Sequence, residues 1–338
     1  MKGGNTSNAI ELNRVQIGRD YYFKISNSDA LRPFFMSIVS DSDHWMFISS
    51  NGGLSAGRKN AEYALFPYYT DDKITESAEI TGSKTIFRVQ KGGTAHVWEP
   101  FSERFDGLHK VSRHLYKSIY GNKIIFEEES HDLQLTFRYE WSSSDVFGFV
   151  RKSTLISRAA ETVNLTVLDG LQNIMPYGVN SALQNSASNL VDAYKRSELE
   201  AATGLGIYAL SALIVDKAEP SEALKANTVW SLGLERPIYL LSSLQLKDFR
   251  KGKPVQQEED VKAEKGAYFV VTEMTLANGA EKEWMMVANV NQNHAAIAKL
   301  SATINNEKQL ADRVKQDVEA GTQRLIELNA AADALQLT

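Results

Sequence analysis

From Tyr21 to about Trp141 the chain consists of short runs of Tyr, Phe, Val, Ile and Thr, cut by Gly, Asn, Asp and Ser. That grammar leaves room for strands joined by hairpins and for little else. FFMSIVS begins at Phe34, HWMFISS runs from His44 into the turn Asn51-Gly52-Gly53, and TIFRVQ runs from Thr85 into Lys91-Gly92-Gly93. HLYKSIY ends at Gly121-Asn122. Each turn holds residues that tolerate positive φ, as hairpins need.

The pattern continues through KIIFEEES, DLQLTFRYEW, VFGFVRKSTLIS and TVNLTVLDG. In LQLTFRYEW, Leu133, Leu135, Phe137 and Tyr139 share one face, while Gln134, Thr136 and Arg138 share the other. This predicts a sheet with one buried and one wet face. Between Asn180 and Thr203 the period changes: Leu183, Ala187, Leu190, Ala193 or Tyr194, and Leu199 fall at helical spacing, and Gly204 follows. One inserted helix is expected there. Strands resume with GIYALSALIVD, TVWSLGL, IYLLSSLQL, YFVVTEMTL and EWMMVANV.

After Asn291 the apolar residues recur at three, four or seven. Ile297, Leu300, Ile304, Leu310, Val314, Val318, Leu325, Leu328 and Leu335 form a stripe from Ala295 to Leu335. This reads as one long amphipathic helix, or as two broken near Asn305-Asn306, with Gly321 a weak point. The stripe needs a partner surface. The chain stops about four turns past Gly321 with no closing domain, so continuation past Thr338 is expected. The fold class is mainly β, a large antiparallel sandwich over residues 1–292, with the inserted helix, then a helical linker over 293–338.

A chain of 338 residues, 43% hydrophobic and 23% charged, can bury a large core. The net charge of -5 is spread, with no basic run to track a phosphate backbone, so nucleic acid is excluded as a partner. Without cysteine there is neither disulfide nor thiolate chemistry. The N-terminus lacks the apolar stretch of a signal peptide and no run of 18 apolar residues occurs, which predicts a cytoplasmic protein with no membrane partner.

Several motifs resolve into turns. Gly53-Leu54-Ser55-Ala56-Gly57 fits the nucleophile-elbow spacing, but the βαβα setting is missing and the one late histidine is His294. Gly52 to Lys59 imitates a phosphate loop, yet Asn60 stands where a magnesium-holding hydroxyl belongs. Gly204-Leu205-Gly206 lacks the third glycine of a dinucleotide site. The six histidines are scattered, with His109 and His114 on opposite faces of a strand, so no metal, cofactor or catalytic residue is assigned. Glu127, Glu128 and Glu129 read as solvated or edge-protecting charges.

The densest mixture of aromatic, cationic and acidic groups is HVWEPFSERFDGLHKVSRH, from His96 to His114. Sugar sites combine a ring for the pyranose face with Arg and carboxylate groups for hydroxyls. The candidate carbohydrate-binding residues are therefore Trp98, Glu99, Arg104, Asp106, His109, Arg113 and His114. The alternative is a polar loop with Trp98 and Phe101 packed inward.

NGGLSAGRKNAEYALFPYY, the Trp98-Glu99-Pro100 strand end, GLHKVSRHLYKSIYGNKIIFEEES and LVDAYKRSELEAATGLGIYAL follow one another in an order that resembles the N-terminal domain of cellobiose- and chitobiose-phosphorylase-like enzymes, once called glycosyltransferase family thirty-six. The resemblance spans most of the chain. It implies a galactose-mutarotase-like β-supersandwich, linker helices, and an (α/α)6 barrel beyond Thr338 that carries the catalytic acid for phosphorolysis of β-linked oligosaccharides. It also implies a noncatalytic carbohydrate-binding and supporting role for this chain, with the barrel of the same protein as partner, and a homodimer. The sequence departs from the family at Leu54, Ser55 and Ala56, so no sugar contacts carry over there. The rival readings are a free-standing aldose-1-epimerase-like enzyme, needing a converging His and Glu, and a pure carbohydrate-binding scaffold.

Overall fold

The alternation that dominates the sequence becomes three antiparallel sheets in the computed structural model, which describes residues 9–186, 188–212 and 224–333. The sheets hold eleven, five and four strands. The architecture is a large β-sandwich, as the sequence predicts.

The core lies where the inner faces meet. On the eleven-stranded sheet, Phe137, Tyr139 and Trp141 of the strand Leu135–Ser144 stand beside Trp284 and Met286 of Glu281–Asn293. Opposite them are Phe87 and Val89 of Gly82–Lys91, and Val167 and Leu171 of Val163–Ile174, in the five-stranded sheet. Ring centroids of Phe87 and Phe137 are 5.2 Å apart, edge to face, so the two sheets touch directly. The four-stranded sheet closes the same core with Met46, Ile48, Leu54 and Phe66. Trp98, Trp141, Trp230 and Trp284 are all buried.

Both outer faces carry covers of their own. Leu246 and Phe249 of the short helix Leu246–Arg250 seal Ile86, Leu168, Phe269 and Val271 behind the five-stranded sheet. The segment IYLLSSLQL thus gives a strand over Ile238–Leu240 only, before turning into this helix.

The amphipathic stripe finds its partner within the chain. It forms two helices, His294–Asn306 and Leu310–Asp333, broken at the asparagine pair. Ile297, Leu300, Ile304, Leu310 and Val314 lie on Phe147, Val150, Trp230, Met285 and Val287 of the large sheet's back. Gly321 does not interrupt the second helix: it is buried, and a Cβ there would meet the Asp41 carboxylate at 2.8 Å. Arg324 Nε holds that carboxylate at 2.6 Å, and Asn122 donates to Thr322 Oγ1 at 2.8 Å. Leu335 lies outside the described residues.

Three sequence expectations need correction. The inserted helix is found over Ser181–Ser186 and Ser188–Tyr194, with Ala187 outside the described residues, and it ends sooner than its spacing predicts. Lys195–Glu200 is a strand, paired with Leu205–Leu210 through the turn at Gly204, so Leu199 is not helical. There cross-strand pairing overrides the local spacing. The GIYALSALIVD strand ends at Leu210, and Leu213–Asp216 lie outside the described residues. Finally, the second face of Leu135–Ser144 is not open water, because Thr136 is buried and Arg138 is half-buried against Glu127.

Among the described residues no helix is long and apolar enough to cross a membrane.

Candidate functional site

Two neighbouring strands organise the region that the sequence singles out. Val111–Ser118 pairs antiparallel with Ile124–Ser130, placing Arg113 opposite Glu128 and His114 opposite Glu127. Because side chains alternate along a strand, Arg113 and Glu128 share the inner face, while His114 and Glu127 share the outer one.

Glu128 is the hub of the inner face. It is 1% exposed and accepts from Trp98 Nε1, from the Phe101 N–H and from Arg113 Nε, each at 2.7 Å. A buried carboxylate is tolerated only with such donors. Burial opposes the Arg113 charge, but Glu128 and Asp106 outweigh it and push the guanidinium pKa above its usual value. Arg113 also donates to the Ser102 carbonyl at 3.2 Å and meets Asp106 at 3.4 Å.

Phe101 is held by its N–H in the left-handed region, at φ 64°, which is unusual for an aromatic residue. Its ring packs edge-on against Tyr139 (5.2 Å) and Phe126 (6.2 Å). The result is a cleft of about 460 Å³ lined by the half-buried Phe101, with the buried Phe126 beneath it and Asp29, Glu103, Asp106 and Arg113 around it.

Of the seven residues proposed from sequence, Asp106, Arg113 and His114 border this cleft. Trp98 lies beneath it, 2% exposed, with its ring 5.0 Å from Phe87. Glu99 is buried and grips Arg250 with two bonds of 2.7 and 2.8 Å, with Lys84 at 3.1 Å. Burial alone would raise the Glu99 carboxyl; Arg250 and Lys84 outweigh it and hold it below the usual carboxylate range. His109 Nε2 sits 2.9 Å from the Val97 carbonyl, and Arg104 is exposed. The residues missed are Glu128, Phe126 and Asp29. Period-two reading of IIFEEES puts Glu128 on the Ile124–Phe126 side, and that was the available signal.

The triple glutamate is not a solvated run, since Glu127 and Glu128 are each 1% exposed. Their strand is paired on both sides within the large sheet, so neither edge is free for them to protect. On the outer face Glu127 accepts from Tyr116 Oη at 2.5 Å and from Arg138 Nε. Ligand atoms of His114, Glu127 and Glu129 lie within 4.8 Å of one another, a spacing that could hold a metal. The residues do not fit one. The Asn27 N–H donates to His114 Nδ1 at 3.2 Å, so the neutral ring's proton sits on the other nitrogen and no lone pair is left for an ion.

Ser55, of the elbow-like motif, lies mid-strand in Leu54–Arg58, fully buried, where no substrate could reach it.

No family model matches the chain, and no curated protein matches it in sequence. Similar solved structures include a bacterial glucoamylase complexed with acarbose, at 10% identity and TM-score 0.49, covering 88% of this chain and 38% of that one. A kojibiose phosphorylase candidate from the human microbiome, at 11% identity and TM-score 0.36, covers 70% and 27%. A galactose mutarotase-like protein from Clostridium acetobutylicum, at 7% identity and TM-score 0.36, covers 84% and 99%. The chain thus spans well under half the length of the first two, and at these identities no residue role carries over from any of them.

Proposed function

We propose that this chain is a noncatalytic carbohydrate-binding and supporting domain of a glycoside phosphorylase or related glycosidase acting on β-linked oligosaccharides. The observation that carries this reading is the cleft over Phe101 and Phe126. The half-buried ring of Phe101 offers a pyranose its apolar surface, while Arg113, Asp106, Glu103 and Asp29 offer charged partners for hydroxyls. In this reading residues 293–338 lead to an (α/α)6 barrel bearing the catalytic acid, in a homodimer, as the sequence resemblance implies, and the protein is cytoplasmic, as its N-terminal residues suggest.

The test is calorimetric titration with cello- and chito-oligosaccharides. Binding that weakens at least tenfold in Arg113→Ala supports the reading. Full affinity in that variant, or no binding by the parent chain, overturns it.

A second reading, an aldose-1-epimerase-like enzyme, has one observation in its favour: His114, Glu127 and Glu129 converge on the outer face. Arg138 and Tyr116 already occupy Glu127, which leaves Glu129 as base. Polarimetry on freshly dissolved α-D-glucose decides it. Acceleration lost in His114→Ala would establish the epimerase, and the uncatalysed rate would remove it.

A further inference from the structure

The outer face of the five-stranded sheet is covered along only part of its length. The helix Leu246–Arg250 seals a row made of Ile86, Leu168 and Val271, one residue from each of the strands Gly82–Lys91, Val163–Ile174 and Gly266–Leu276. The next row on that face is Arg88, Thr166 and Glu273, with Arg88 paired to Thr166 and Thr166 to Glu273. It floors an open cleft of about 660 Å³, which Phe249, Lys253, Glu235 and Arg236 also line and which shares no lining residue with the Phe101 cleft.

The two ends of the row carry opposite charges that do not meet. Two interstrand spacings put the Arg88 and Glu273 backbones roughly 10 Å apart. Arg88 is half-buried, with its guanidinium carbon 6.0 Å from the centre of the Phe249 ring. Gly252, at φ +81°, makes room for it, since a Cβ there would meet Arg88 Nη2 at 2.8 Å. Lys253 follows on the rim, sharing its charge with the exposed Asp248 at 2.9 Å. Among the described residues the side chains of Arg88, Glu273 and Glu235 have neither an ion-pair nor a hydrogen-bond partner. A seated, half-buried guanidinium with its fork unused favours an oxyanion.

A bare anion would answer only one end of this floor, because Glu273 and Glu235 would repel it. A ligand that answers both ends carries a carboxylate for the guanidinium and, across a ring, hydroxyl donors for the glutamates. We infer that this face binds a sugar acid, a pyranose bearing one carboxylate, with the carboxylate on Arg88 and hydroxyls on Glu273 and Glu235. The inference is independent of the reading of the Phe101 cleft.

Calorimetry on the full chain with D-glucuronate, D-glucose and inorganic phosphate tests it. Glucuronate is expected to bind roughly tenfold tighter than either of the others, the contrast of about one charge-assisted hydrogen-bond pair. Arg88→Gln should bring glucuronate down to the level of glucose. Thermal melts show whether that variant keeps its fold; Glu273→Gln, at an exposed strand position, is the milder change and should weaken glucuronate several-fold. Equal affinities for glucuronate and glucose, or no binding of glucuronate, overturn the inference and leave the cello-oligosaccharide reading of the Phe101 cleft standing. Phosphate held as tightly as glucuronate overturns it as well, by making the floor a plain anion site. Glucuronate binding lost in Arg113→Ala but kept in Arg88→Gln would put the ligand in the Phe101 cleft instead.

Discussion

Arg151 and Asp169 meet at the centre of the sandwich, each wholly buried, with Arg151 Nη1 at 2.9 and 2.8 Å from the two carboxylate oxygens. Arg151 belongs to the large sheet and Asp169 to the five-stranded one, so the pair is a cross-brace. Trp284 Nε1 (2.6 Å), Thr85 Oγ1 (2.6 Å) and Ser153 Oγ (3.2 Å) complete the carboxylate's partners. Removing one member should therefore cost more than removing both. Asp169→Asn is expected to destabilise by about 3–5 kcal/mol, and Arg151→Met with Asp169→Leu to recover much of the loss. Guanidinium denaturation of the three variants checks this, and an additive double variant would refute it.

Glu128→Gln should loosen the cleft and the core together. The amide cannot neutralise Arg113 and cannot accept from all three donors at once. A loss of about 2–3 kcal/mol is expected, with a changed Trp98 emission and weakened sugar binding. Unchanged stability and affinity would show that the hub is dispensable.

Acid should unfold the protein in two stages of different origin. Burial first, and then Arg58, lower the His44 pKa from 6.5 to about 4, so the folded ring stays neutral while the unfolded one takes up a proton. Its contribution is complete above pH 6.5 and is lost as pH falls toward 4, a change of about 3 kcal/mol. Glu79, Glu99 and Glu127, held below the usual 4.5 by their cationic or hydroxyl partners against the opposing effect of burial, contribute above that pH and lose it on further acidification. Denaturant midpoints from pH 8 to 3 should show both limbs, and His44→Gln should flatten only the upper one.

Leu310→Ala should cost about 2–5 kcal/mol, because that side chain is 1% exposed against the back of the large sheet. Cutting the chain after Asn293 should uncover Phe147, Trp230, Met285 and Val287, with dye binding and aggregation as the readout. A soluble, cooperatively melting fragment would show that the helices are an appendage.

What the sequence discloses here is periodicity, and periodicity is local. The strands around Phe137 and Tyr139, the asparagine break between the terminal helices and the core tryptophans follow from spacing and size. Leu199 misleads because cross-strand pairing with Gly206 outweighs its helical spacing. The cleft was half legible. The run His96–His114 is rightly singled out as a knot of charges and rings, yet its organiser, Glu128, comes from another strand. Asp29 comes from the other side of the chain's first hairpins. Strand register and loop placement join these residues, and neither is encoded within any window of neighbouring positions.

The clasp between the second terminal helix and the first hundred residues reaches far along the chain, since Arg324 holds Asp41, 283 positions earlier. Ribosomal synthesis delivers that helix after the sheet it covers. Until it emerges, the back of the large sheet has its strands but no lid, and its apolar side faces the cell. Contacts so distant in sequence also make for slow folding. This sandwich should therefore be a late-closing folder, dependent on chaperones during synthesis and hard to unfasten once that helix has docked.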